Sequence, residues 1–144
     1  MIPSELTIDR KKLMGSLGIN LETREFIDLS SMGVEELYDL MMKSLMWMEH
    51  ISEILSRAKK IKLDKELESD LALSESMSKV SSASKVAGMK AEAKLNPEYV
   101  NAKREYNKIA VYVDYLERLL VNLDRFHYVI KSRIDHSKNI ERKY

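Results

Sequence analysis

The chain has 144 residues, 44% of them hydrophobic and 33% charged, with a formal net charge of +1. That size and balance suit one domain with a modest core and supply no global field toward nucleic acid, so any anion binding has to be local. Cysteine is absent, which excludes disulfides, thiolate metal sites and cysteine nucleophiles. With four glycines, two prolines and no alternating runs of β-branched and aromatic residues, the expected fold class is all-α. The expected architecture is an elongated helical bundle with a long C-terminal helix and oligomeric helix packing.

Residues 1–30 read as an irregular arm. Ser4 is a candidate cap, and Leu6 to Leu13 carry a short helical pattern that Gly15 and Gly18 end. Such an arm is expected to order only on a partner. Met1 to Arg10 is polar and charged where a signal peptide needs an apolar run, and no window approaches the roughly 18 apolar residues of a membrane span. The expected location is cytoplasmic, the host cytoplasm for a phage-encoded chain.

Residues 31–144 read as a helical domain with helices at about 33–62, 64–94 and 97–140. The first of these starts near Gly33 with Glu35 and Glu36 in its positively polarised first turn. Its seam is Leu37, Met41, Ser44, Met48, Ile51, Leu55 and Ala58, widened by Leu40, Trp47 and Ile54. The second has a pattern that fades after Leu67, Leu71 and Met77 into a serine-rich run between Ser69 and Ser84, the composition of a weak helix or connector. The third opens on Asn96-Pro97-Glu98, a cap followed by a residue whose missing donor costs nothing. Its seam runs through Ala102, Tyr106, Ile109, Val113, Leu116, Leu120, Leu123, His127, Ile130 and Ile134 at spacings of four and three. Straight and continuous, it would reach roughly 70 Å, beyond the core of a globule of this size. A homo-oligomer is therefore expected, with Tyr112, Leu116, Leu119, Leu120, Leu123 and Ile130 at its interface.

Enzymatic motifs are missing: there is no Gly-rich phosphate loop, nucleophile elbow or His-Glu-x-x-His. His50 with Glu53 and Asp124 with His127 stand one turn apart, but a di-iron bundle needs two Glu-x-x-His units and the chain has none. The chain reads as a non-enzyme without metal or cofactor. Basic groups are more informative. Arg57, Lys59, Lys60, Lys62 and Lys65 form one cluster; Lys79, Lys85, Lys90 and Lys94 form a second; Lys131, Arg133, Lys138, Arg142 and Lys143 form a third. Single-strand binding joins a basic track along the phosphates to aromatic rings that stack on bases, and Tyr99, Tyr106, Tyr112, Tyr115 and Tyr128 are the candidate rings.

Tyr115, Leu119-Leu120 and Ile130-Lys131-Ser132-Arg133 resemble the terminal helix of the UvsY family of phage recombination mediators. Lys85-Val86-Ala87 with Met89-Lys90-Ala91 looks like the family's basic stretch, with Glu92 where an arginine is expected and Lys94 as the next cation. The resemblance implies a helical, ring-forming protein that binds single-stranded DNA and helps a RecA-like recombinase replace a single-strand-binding protein during recombination and repair. It assigns phosphate contact to Lys85 and Lys90, with Lys94 as the substitute cation, and gives Lys131 and Arg133 contact either with DNA or with a neighbouring subunit. The alternative is a helical adaptor, chaperone or inhibitor whose Met-rich surface around Trp47 takes a protein.

Overall fold

The computed structural model describes residues 2–19, 29–79 and 86–143, and among them it contains helices and no strand, so the chain is all-α. The helices are α1 (Arg10–Leu17), α2 (Val34–Lys79), α3 (Val86–Ala93) and α4 (Pro97–Lys143), with single 3-10 turns at Ser4–Leu6 and Leu29–Ser31.

Local chemistry sets most of the ends. Asp9 caps α1 by accepting from the Lys12 amide at 3.0 Å, while Gly18, at φ 63°, closes it in the left-handed conformation that a side chain disfavours. The Gly18 amide and the Ile19 amide, the latter at 3.2 Å, both donate to the Met14 carbonyl. α1 thus passes straight through Gly15 and starts four residues later than the Leu6–Leu13 pattern indicates. α4 begins as its sequence predicts, with the Asn96 side-chain oxygen accepting from the Glu98 amide at 2.9 Å. The break expected after Lys62 does not occur. Nothing between Lys62 and Lys79 is glycine or proline, and α2 continues for 46 residues.

Contacts divide the chain into two units, each taking a stretch of both long helices. The first comprises Met1–Leu6 with Ser56–Asp114. Its core is thin: Leu6, Ala58, Ser69, Ser76, Ala93, Ile109 and Val113 are its buried side chains among the described residues. The Tyr112 hydroxyl donates to the Leu6 carbonyl and ties the amino terminus to α4.

The second unit comprises Thr7–Leu55 with Tyr115–Tyr144 and has the stronger core. Leu13 and Leu17 of α1, Leu37, Leu40, Ile51, Ile54 and Leu55 of α2, and Leu116, Leu119, Leu123, Phe126, Ile130 and Ile134 of α4 are buried. At roughly 1.5–3 kcal/mol per buried apolar side chain, these are the main source of stability in the unit. Within the arm expected to await a partner, α1 is packed in the chain itself, with Leu13 and Leu17 in this core.

Polar ties fix the direction of its helices. Ser44 of α2 meets His127 of α4 at 3.0 Å, and Lys138 lies over the Tyr38 ring at 5.3 Å, so the two helices run antiparallel here. The Ser44 hydroxyl gives its one hydrogen to the Met41 carbonyl at 2.8 Å. With that hydrogen used, the Ser44 oxygen is placed to accept from His127 Nδ1.

Candidate nucleic-acid interface

The sequence-predicted cations divide between the two units. Lys90 and Lys94 are exposed and one turn apart in the first, at the end of α3, where the Lys94 amide bonds the Lys90 carbonyl at 3.1 Å. Lys85 lies outside the described residues. Lys131 and Arg133 fall in the second unit and differ in kind. Lys131 is exposed, whereas Arg133 is half-buried and donates from Nη2 to the Ser30 carbonyl at 3.3 Å, fastening α4 to the turn before α2. Its Nε is buried without a partner. Arg133 is thus drawn into the fold and makes a poor phosphate ligand.

What surrounds Lys131 was only half legible. Tyr128 is 70% exposed, with Arg125 three residues before it and Lys131 three residues after, so all three share one face of α4. They line a shallow groove of about 580 Å³ with Asp124, His127 and Val129. Arg125 went unnoticed because its signal is only the spacing of three to the tyrosine. An exposed aromatic ring between two cations can stack on a base while the cations meet the flanking phosphates. The other tyrosines offer less. Tyr115 is half-buried under the Arg10 guanidinium at 5.5 Å, Tyr106 is half-buried beside Lys103 at 4.6 Å, and Tyr112 holds Leu6.

The residues read as a C-terminal interface differ in burial. Leu116, Leu119, Leu123 and Ile130 are buried in the core of the second unit, and Leu120 is half-buried. Tyr112 is half-buried and bonded within the first. Leu116, Leu119, Leu123 and Ile130 are thus spent on the core of the second unit, whereas Leu120 and Tyr112 keep part of their surface in water.

A second cleft, of about 370 Å³, lies between α1 and α2 and is lined by Lys12, Ser16, Lys43, Met46, Trp47 and His50. Trp47 packs edge-on against His50 with centroids 5.8 Å apart, and Lys43 pairs with Asp39 at 3.0 Å. Among the described residues no group of three or more His, Cys, Asp or Glu side chains could hold a metal. No helix there is long and apolar enough to cross a membrane.

No family model, no curated protein and no solved structure matches the chain significantly.

Proposed function

We propose that this chain is a non-enzymatic, homo-oligomeric single-stranded-DNA-binding protein of the recombination-mediator type. It holds an unpaired strand while a RecA-like recombinase replaces a single-strand-binding protein, in the cytoplasm of a phage-infected host. The observation that carries this reading is the exposed Tyr128 ring between Arg125 and Lys131. That face lies in the stretch from Tyr115 to Arg133 that resembles UvsY, and it unites the ring and the cations that single-strand binding requires. Lys90 and Lys94 add exposed charge in the first unit, and Arg133 acts by positioning α4.

Fluorescence anisotropy of a labelled oligothymidylate tests the reading. Binding should be measurable at low salt, fall linearly on a log–log plot as salt rises, and weaken in Tyr128→Ala. Absence of binding at low salt refutes it.

One observation favours a second reading, the protein adaptor. Met42 and Met46 are exposed on α2 beside the Trp47 cleft, a soft surface of the kind that adapts to protein partners. A partner retained from nuclease-treated host lysate, and lost in Met46→Lys, supports the adaptor; loss on nuclease treatment alone supports the DNA-binding reading.

A further inference from the structure

Along residues 58–76, α2 is turned the opposite way from what its composition invites. Ala58, Ser69 and Ser76 are the buried positions, with the two serines only 4% and 3% exposed. Leu63, Leu67 and Leu71 stand at 56%, 60% and 60% exposure. At about 100° per residue the three leucines centre roughly 160° around the helix from Ser69, so they form one stripe on the outward side. A contiguous leucine stripe left in water while serines are packed inward is an apolar patch of the kind that marks an interaction surface.

Charge identifies the occupant. Within about 80° of the stripe, residues 57 to 65 carry Arg57, Lys59 and Lys60 against Asp64, a net charge of +2, since Lys62 and Lys65 stand on the inward rows and Lys65 pairs with Glu68 at 3.2 Å. On the same side, residues 66 to 75 carry Asp70 and Glu75 with no cation, a net charge of −2. A helix whose leucine stripe is basic at one end and acidic at the other complements a copy of itself running antiparallel and repels one running parallel. Such a pairing is isologous, about a two-fold axis near Leu67.

We infer that the Leu63–Leu67–Leu71 stripe of α2 is a homotypic docking surface on which a second copy of this chain lies antiparallel. Leu67 then faces Leu67 of the second copy, Leu63 faces Leu71, and the basic end of each helix lies along the acidic end of the other. The inference rests on the oligomeric part of the function proposed above and is independent of DNA binding. It also moves the interface from the C-terminal seam, most of which the chain's own core occupies, to a face of α2 outside that core.

Two measurements on the full chain test it. Sedimentation at high micromolar concentration should give at least twice the 16.7 kDa of the chain. Leu67→Lys, a change at an exposed position, should return the mass to that of one chain with the helical circular dichroism unchanged. The absence of cysteine allows orientation to be read directly. Under mild oxidation an equimolar mixture of Leu63→Cys and Leu71→Cys chains should cross-link efficiently, while either variant alone should cross-link poorly.

A monomeric wild-type chain overturns both the interface and the oligomeric part of the proposed function. An oligomer that survives Leu67→Lys overturns only this surface. Efficient cross-linking of Leu63→Cys with itself overturns the antiparallel orientation. DNA binding that persists in a monomeric Leu67→Lys variant leaves the inference standing and shows that assembly and strand binding are separate.

Discussion

Truncating Leu123 to alanine distinguishes a seam that builds the chain's own core from one that joins subunits. Leu123 is fully buried in the second unit, on the same seam as Leu116 and Ile130. Removing a buried leucine side chain costs the transfer of its methyl and methylene groups plus the cavity left behind, together about 2–5 kcal/mol. Unfolding entropy near 2.1 cal/mol/K per residue amounts to about 0.3 kcal/mol/K over 144 residues, so a cooperative Tm should fall by about 7–16 °C. If the two units unfold separately, only the transition of the second should move. Thermal circular dichroism at several protein concentrations is the assay. The shift should be the same at low and high concentration, because the loss is within one chain. A Tm that hardly moves, together with a lower oligomeric mass, would refute the assignment and return Leu123 to a subunit interface.

Other expectations follow from particular contacts. Tyr128→Ala should weaken oligothymidylate binding by about 1–3 kcal/mol, read by anisotropy, with Tm unchanged because the ring is largely exposed. Lys131→Ala should lower the slope of log affinity against log salt by about one while leaving base preference unaltered. Gly18→Ala should destabilise the second unit by about 1–2 kcal/mol in urea titration, since alanine must then adopt φ 63° at the end of α1. Glu105 is held below the usual carboxylate range chiefly by its hydrogen bond and charge pairing with Lys108 at 3.2 Å. Its small contribution is therefore complete above the ordinary glutamate pKa and disappears as pH falls through its own lower value; Lys108→Ala should raise its midpoint in an NMR titration.

The legible parts of the fold were those where one short-range signal decided the outcome. Asn96-Pro97 fixed the start of α4 because the cap and the missing amide act within two residues. Spacing alone located Leu37, Ile51, Ala58, Ile109, Val113, Leu116, Leu123 and Ile130 on inward faces, and all are buried. Phe126 was assigned to no face and Leu119 only to the subunit interface, yet both are buried, so the apolar face of α4 is wider than a two-position seam. The candidate site was less legible. Lysine and arginine look alike in a charge count, but Lys131 reaches water while Arg133 bonds Ser30, 103 residues away in sequence. No local pattern encodes that distant partner.

The fading pattern beyond Lys62 has a physical explanation in helix geometry. Inward positions of α2 recur every seven residues as Leu37, Ser44, Ile51 and Ala58, and that register continues to Lys65, which is half-buried. A second row, Met41, Met48 and Leu55, continues through Lys62 to Ser69 and Ser76. The register is thus maintained while its occupants change from large and apolar to small or polar, and the leucines move to the opposite face. A periodicity search that follows one stripe sees the signal disappear. Because a continuous helix keeps every residue at a fixed angle to its neighbours, the stripe at Leu63, Leu67 and Leu71 cannot turn inward without displacing Ser69 and Ser76. The leucines can leave water only by acquiring a cover from outside this face. The opposed charges of the two halves then favour a copy of the same helix running in the opposite direction.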